Sequence, residues 1–565
     1  MTNNQCFTRR EWLRSGAGSA VALTMGVKLA ECAAAANPAG ESPQEPLLKR
    51  LIEMGMDNML RWTFMMAKGD PETVVKQGTH PLPITFADGA HNIVRVIDAL
   101  LFGEAVAGKR IPPQAEDVLR HWLYVLLDNP THLMAKFMPE AGQELVHAHD
   151  SRETVLALTA LIRYRDDDRA RQYARKFLER LLGLTRPDGT FNAEEIAKHP
   201  RLTGLWTRFS EQTKDPPGKN TACVTRGRAI DALCKYYRVT QEDQALELAG
   251  RFVRLVRRTS FMPDGKINPN ELGHTHSITA TVHGLIDFGL LTGDREVFEH
   301  GRRIFDVGLP AVSSSFGWSR ENAWGDDGPP RPWRGELNNT GDMIQAALWL
   351  ARSGLPQYFE DAERRIRSHI VPSQCTHDTE DQGWGVPAPS DREGGSGTKS
   401  VVDITAGVVQ ALCATTETLV TKDDKGQSVN LAFSNWKGPV RVRSGLPEEW
   451  RLEITPDEQG NVRVRIPSWA DRSKLRVNVE GQQRRAAVEN AWLVLEDIPA
   501  GATVAVAVPL AERETTEVIK NLHNGKERTY RIVWRGDQVV AMSPKGTVVP
   551  MYPSVEEYRA GTAER

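Results

Sequence analysis

From about residue 45 to 420 the apolar positions recur at i, i+3, i+4 and i+7, the period of an amphipathic helix. Four stretches carry the pattern twice over: "TVLALTALIRYRDDDRARQYARKFLERLLGL", "AIDALCKYYRVTQEDQALELAGRFVRLV", "TVHGLIDFGLLTGDREVFEHGRRIFDVG" and "MIQAALWLARSGLPQYFEDAERRIRSHI". Each predicts two helices joined by a short turn, because the residues between the arms are the polar and glycine types that stop one helix and start the next. The helical hairpin is the unit. It recurs roughly every 50 to 75 residues and cannot bury both of its apolar faces alone, so neighbouring hairpins must stack. The spacing exceeds that of an ordinary solenoid, and two connections share a Pro-Asp-Gly turn, "RPDGTF" at 186 and "MPDGKI" at 262. Long loops between hairpins fit a closed (α/α)6-type toroid in which those loops build a central cleft.

Past residue 425 the period changes to two. "VNLAFSN", "VRVRSG", "RLEITPDEQGNVRVRIPSWA", "KLRVNVEG", "ATVAVAVPL" and "RTYRIVWRGDQVVAMSP" alternate apolar with polar residues between turn residues, which predicts an antiparallel β-sandwich, single or double. The expected organisation is a toroid over 41–420, a linker "TKDDKGQS" at 421–428, and sandwich over 429–565.

With 565 residues and 40% hydrophobic composition, the chain has material for a large core and more than one domain. A net charge of -2 and the lack of a long basic run exclude a generic nucleic-acid or anionic-membrane binder, which needs a concentrated positive face. Residues 1–40 read as a twin-arginine signal peptide. Arg9 and Arg10 in "TRREWL" precede the short apolar run "GAGSAVALTMGV" and then "AAAANPAG". The implied partner is the twin-arginine export machinery, and the implied destination is the periplasm or the medium. Cys32 is a weaker match to a lipoprotein site, since Glu31 fits it badly. No other stretch predicts a membrane span. Of the six cysteines, Cys6 and Cys32 lie in or near the leader, and Cys223, Cys234, Cys375 and Cys413 are too scattered for a disulfide framework or a zinc knuckle. Buried free thiols are expected.

The loop "RENAWGDDGPPRPWRGELNN" at 320–339 is too rich in Gly, Pro and Trp for a regular element, yet it carries Glu321 and Glu336. This loop, the order of toroid then sandwich, and "VRVRIPSWA" followed by "KLRVNVEG" together resemble the bacterial glycoside hydrolases of family 127, known from β-L-arabinofuranosidases. The resemblance spans most of the chain after the leader. It implies an active-site role for His149, in "AHDSRETVLALTAL", and for His274, after glycine in "LGHTHS". It makes Glu321 the general acid/base and Glu336 the second glutamate. In that family a zinc ion is held by the second glutamate and three cysteines. Here Asn338, Asp403 and Ile404 occupy the cysteine positions, so no zinc-thiolate centre and no cofactor are expected. Glu336, Asn338 and Asp403 do offer oxygen ligands of the kind a hard cation takes.

Glycoside cleavage needs a proton donor and a second carboxylate on the opposite face of the sugar. Glu321, Glu336 and Asp403 are the candidates. Trp324 and Trp333 offer flat faces for sugar C–H groups, and His149, His274 and Asn338 offer hydrogen bonds to hydroxyls. The bland readings stand beside these: the glutamates as partners of Arg320, Arg331 or Arg334, Asp403 as a helix cap, the histidines as packing residues. His274 and His276, two residues apart, are not expected to share a metal. The sequence thus predicts an exported glycoside hydrolase acting on plant- or algal-type oligosaccharides, with a polysaccharide lyase or an inactive carbohydrate-binding relative as alternatives.

Overall fold

The computed structural model describes residues 45–67, 87–138, 143–199, 219–324, 335–374, 389–392, 402–485, 487–520 and 525–562. The proposed leader, with Arg9, Arg10 and Cys32, lies outside them, as do Trp333, Arg331, Arg334 and Cys375. Residues 46–565 form one compact unit.

Among the described residues, twelve helices build a closed double ring: α1 (Leu47–Ala67), α2 (Ala87–Ala107), α3 (Pro113–Leu127), α4 (Ser151–Arg165), α5 (Asp168–Leu184), α6 (Ile230–Thr240), α7 (Asp243–Thr259), α8 (Thr275–Thr292), α9 (Arg295–Arg303), α10 (Leu337–Arg352), α11 (Gln357–Arg365) and α12 (Val402–Thr418). The even-numbered helices form the inner ring. Each packs on the next, and α12 closes on α2. The odd-numbered helices sit outside. In α7 the buried residues Ala245, Leu248, Ala249, Phe252, Val253 and Val256 make one stripe, and the opposite face is charged, as a one-sided helix requires. Inner α4 is instead buried continuously from Ser151 to Ile162, because it has neighbours on every side. Each fully buried Leu or Phe contributes about 1.5–3 kcal/mol.

Three hairpins turn in the same way. Between α4 and α5, α6 and α7, and α8 and α9 stand two residues each, Asp166-Asp167, Gln241-Glu242 and Gly293-Asp294. The first of each pair adopts a left-handed conformation, with φ of 48°, 58° and 72°. In the first and third, the aspartate then caps the next helix, Asp167 accepting from Ala170 N and Asp294 from Val297 N, both at 3.0 Å. These residues satisfy the orphaned groups at the helix ends.

The connections leading back to the inner ring also repeat. Short antiparallel bridges pair Thr185 with Phe191, Phe261 with Ile267 and Ser313 with Ser319. An outer-helix arginine donates to each turn: Arg254 to Pro187 O, Arg303 to Pro263 O and Arg364 to Ser315 O. The first two are the Pro-Asp-Gly phrases, and "SSSFGWS" is a third copy without the phrase.

The C-terminal part holds a sandwich and one further sheet. Its strands are β3 (Val420–Asp423), β4 (Gly426–Val429), β5 (Val440–Ser444), β6 (Trp450–Pro456), β7 (Gly460–Arg465), β8 (Arg476–Val479), β9 (Gln482–Gln483), β10 (Val488–Glu489), β11 (Trp492–Ile498), β12 (Val504–Val508), β13 (Glu512–Lys520), β14 (Glu527–Arg535) and β15 (Gln538–Ser543), after a small hairpin β1 (Ala135–Met138) and β2 (Gln143–Val146) in the toroid. The sandwich sheets run β10-β11-β7-β4-β3 and β5-β6-β12-β8-β9, and the third is β13-β14-β15.

Two expectations need correction, and the antiparallel sandwich holds with one exception. The supposed linker 421–428 is the β3–β4 hairpin, with Thr421 opposite Ser428. Polar Lys and Asp on an edge hairpin read as a linker because exposed edge strands carry charge. The sandwich is not wholly antiparallel, since β4 pairs with β7 in parallel; the chain crosses to the other sheet for β5 and β6 before returning. "VNLAFSN" contributes only Val429 to a strand. Its remaining residues are irregular, and Asn430 O accepts from Arg465 Nε at 2.6 Å. Arg465 also pairs with Glu363, binding sandwich to toroid.

Candidate active site

The N-terminal ends of the inner helices gather at one mouth of the toroid, and the predicted residues arrive there on two short ribbons. Arg320 and Gly335 form an antiparallel bridge, and Glu336 N donates to Ser319 O at 3.2 Å. Side chains alternate faces along extended chain. Glu321 and Glu336, one step past the bridge on either strand, therefore leave the ribbon on the same side. They are diagonal neighbours, a relation that sets Cα atoms about 7–8 Å apart.

On its other edge the Glu321 strand meets the start of α8. His274 bridges Asn322, Thr275 N donates to Glu321 O at 2.9 Å, and Ala323 N donates to Gly273 O at 2.7 Å. Gly273 has φ +94°, and a Cβ there would collide with the Trp324 indole. Only glycine lets the indole lie so close. Trp324 is fixed in turn by its Nε1–H, which donates to Glu271 O at 2.6 Å.

Glu336, 7% exposed, accepts from the Asn338 carboxamide at 2.8 Å. Beside this pair, Arg95 on α2 donates to Asp403 in the first turn of α12 at 3.1 Å. The two pairs join at Gly407, where a Cβ would meet both Asn338 Oδ1 and Arg95 Nη2. Glu336, Asn338, Arg95 and Asp403 thus share one wall. Asp403 lies inside the helix rather than capping it, and its partner is a buried arginine.

His149 and His274 are brought together, with ring centroids 5.7 Å apart. His149 does not offer the open hydrogen-bonding edge expected of it. Arg228 donates to its Nε2, so its Nδ1 carries the proton that faces Asp150 Oδ1, 3.5 Å away. Burial and then the Arg228 charge hold its pKa well below the usual histidine value, keeping the ring neutral. His149 positions its neighbours. His274 turns Nδ1 toward Ser277 Oγ at 2.7 Å, which directs Nε2 away from the helix.

Sequence reasoning missed the floor beneath these groups. Arg95, Arg152 and Arg228 are each at most 2% exposed. Arg228 pairs with Glu153, and Arg152 binds Asp231 at 3.1 Å and Asp342 at 2.9 Å. Burial alone would raise the Glu153 pKa, but Arg228, His91, Arg95 and Arg152 draw it down to about 2. His276 reaches Asp342 at 3.3 Å, and burial, then Arg95, Arg228 and Arg152, hold its pKa well below normal. The sequence signal was a helix such as "HNIVRVIDALLF", whose polar His91, Arg95 and Asp98 recur at helical spacing among apolar residues.

Two places could be asked to hold a metal. His91, His149 and Asp150 present ligand atoms within 4.8 Å of one another, but the Arg228 guanidinium already sits against His149 and would repel a cation. At the position of the family's zinc, Asn338, Asp403 and Ile404 supply no thiolate. Asn338 turns its NH2 toward Glu336, and Arg95 covers Asp403. This donor set does not fit zinc-thiolate chemistry, and it meets a hard cation with a positive charge. Cys223, Cys234 and Cys413 are buried and free.

No family model and no curated protein sequence matches the chain. Solved structures do. A GH127 β-L-arabinofuranosidase from Geobacillus stearothermophilus T6 is similar with a TM-score of 0.60 at 13% identity, over 88% of this chain and 85% of that one. A second GH127 β-arabinofuranosidase gives 0.60 at 14% identity, over 88% and 83%. A structure described as a glycoside hydrolase gives 0.55 at 13% identity, over 88% and 81%. The chain has the fold of a six-hairpin glycosidase with a C-terminal β-sandwich. Its likeness to family 127, anticipated from the sequence, holds at the level of that fold.

Proposed function

We propose that this chain is a glycoside hydrolase that works with two carboxylates and without thiolate-bound zinc. The observation that carries the reading is the placement of Glu321 and Glu336 on one side of a ribbon at the toroid mouth, beside His274 and the Trp324 indole. Glu321 donates the proton to the leaving oxygen. Glu336 acts from the other side of the bond, attacking the anomeric carbon or activating water. The Asn338 hydrogen bond orients Glu336, as a base or nucleophile requires. Asp403, held by Arg95, shapes the same wall and is not assigned the second carboxylate. Trp324 receives the apolar face of a sugar ring, with Trp333 of the same loop as a second candidate.

The substrate class is a neutral oligosaccharide of plant or algal type, and the solved GH127 structures make terminal arabinofuranosides the first to try. A panel of aryl glycosides and arabinose-, rhamnose- and uronate-containing oligosaccharides, with products weighed by mass spectrometry, tests the reading. Hydrolysis adds water across a bond. An unsaturated product would establish a lyase, and intact sugar throughout would leave a binding protein. Arg9 and Arg10 support export by the twin-arginine route, and no described helix is long and apolar enough to cross a membrane.

A further inference from the structure

The other end of the toroid is also hollow. Where the inner helices finish, residues from all six surround a cavity of about 200 Å³. All its lining charges but Arg352, which stacks on Trp349, stand in ion pairs. Lys235 Nζ lies 2.7 Å from Asp98 Oδ1, and Gln410 donates to the other Asp98 oxygen at 2.6 Å. Arg238 donates to Asp287 at 2.9 Å. Between these polar groups the wall is apolar, formed by Phe102, Leu156 and Leu348. The floor is Arg152, bound to Asp231, with His283 beside them. His283 is 5% exposed, its Nδ1 has no hydrogen-bond partner, and Asp231 Oδ2 stands 3.6 Å away.

We propose that this rear cavity is a second binding site, for one neutral polyol of monosaccharide size. An ionic ligand would have to break paired charges, and an apolar one would strand buried donors and acceptors. A polyol places C–H groups on the Phe102 and Leu348 surface and hydroxyls on Asp98, Gln410 and Asp287. The volume falls below the range of about 300–1,000 Å³ for drug-sized ligands, which matches a single ring. Basic residues such as Arg163 and Arg352 near this mouth complement the negative ends of the helices, but that role does not account for the apolar Phe102, Leu156 and Leu348 wall between the ion pairs. The site is separate from the glutamates, so its existence does not depend on the hydrolase reading.

Isothermal titration calorimetry on the full chain, with L-arabinose, D-glucose and myo-inositol as probes, tests the proposal in wild type, Ala414→Phe and Glu321→Gln. Ala414 lines the cavity, and a phenyl ring there fills it. Binding of at least one probe by wild type and by Glu321→Gln, weakened about tenfold or more by Ala414→Phe, is the expected result. Gln345→Phe, also on the lining, serves the same purpose should Ala414→Phe fail to fold by circular dichroism. No binding of any probe, or a stoichiometry and affinity that the plugged cavity leaves unchanged, would overturn the proposal.

Discussion

The Asn338 carboxamide donates to the Glu336 carboxylate across a single intervening residue, at 2.8 Å, where a thiolate would be needed to complete a zinc site. With Asp403 under Arg95 and Ile404 apolar, no described residue beside Glu336 on this wall offers a thiolate. Elemental analysis of the purified protein is expected to show no stoichiometric zinc, and dialysis against a chelator should leave turnover unchanged. Alkylating reagents should also spare activity, because burial pushes the pKa of Cys223, Cys234 and Cys413 well above normal. One tightly held zinc per chain would show that a different ligand set exists.

Glu321→Gln keeps the shape of the side chain and removes its proton. Turnover of a substrate with a poor leaving group should fall on the order of 10²- to 10⁴-fold. An activated aryl glycoside, which needs less protonation, should lose less. Glu336→Gln should lose activity on both, since the second carboxylate acts on the sugar itself. Equal loss on both substrates for Glu321→Gln would remove it from the acid role.

Export is tested at Arg9 and Arg10. Replacing both by Lys preserves charge but not the guanidinium pair, and the precursor should then stay in the cytoplasm. Fractionation followed by immunoblotting reads the outcome; unchanged export would reassign the leader.

The outer helices were legible because each has one wet face, so apolar residues in α7 stand at helical spacing against arginines. The inner helices were harder. A helix such as α4, buried on all sides, carries Arg152 and Glu153 in its core, and the sequence alone reads such residues as surface. What made them internal was mutual compensation around a closed ring, which no local window contains. Glu321, Glu336 and His274 stand out in the sequence because a resemblance points to them, whereas Arg228 and Arg95 have no such pointer. The β3–β4 hairpin was taken for a linker because its Lys and Asp residues suit either role.

Arg228 is fully buried and pairs with Glu153. Arg228→Met should leave the buried Glu153 carboxylate without its nearest partner, with only Arg152 at 3.7 Å, and destabilise the protein by up to about 3–5 kcal/mol. Adding Glu153→Leu removes that carboxylate, and the double variant should recover much of the loss in denaturant titrations. If the double variant is as unstable as the sum of the singles, the pair is not the source of the cost.

The contribution of Glu271 and Asp537 to stability should decline as pH rises from about 4.5 to 8, opposed up to about pH 6.5 by His149, His276 and His369, whose pKa values burial holds below normal. Burial pushes Glu271 up from 4.5 to about 7, and burial, opposed by Arg364, pushes Asp537 up from 3.8 to about 8. For an acid whose pKa is raised by folding, the native state holds more protons than the unfolded chain between the two values, so unfolding becomes easier as pH increases. Below about 4 both states are protonated and these groups contribute no slope. Above about 8 both are ionised and the full cost is present. For Glu271, whose side chain is 0% exposed, the shift corresponds to about 3 kcal/mol. Glu271→Gln keeps a neutral side chain at every pH and should flatten the decline between pH 5 and 7.5. The Trp324 indole hangs on the Glu271 carbonyl, so wild-type activity should fall over the same interval if ionisation loosens that segment. Thermal melts of both proteins at pH 5, 6, 7 and 8 provide the check. A difference in melting temperature between wild type and Glu271→Gln that stays constant from pH 5 to 8 would mean that Glu271 is already ionised at pH 5.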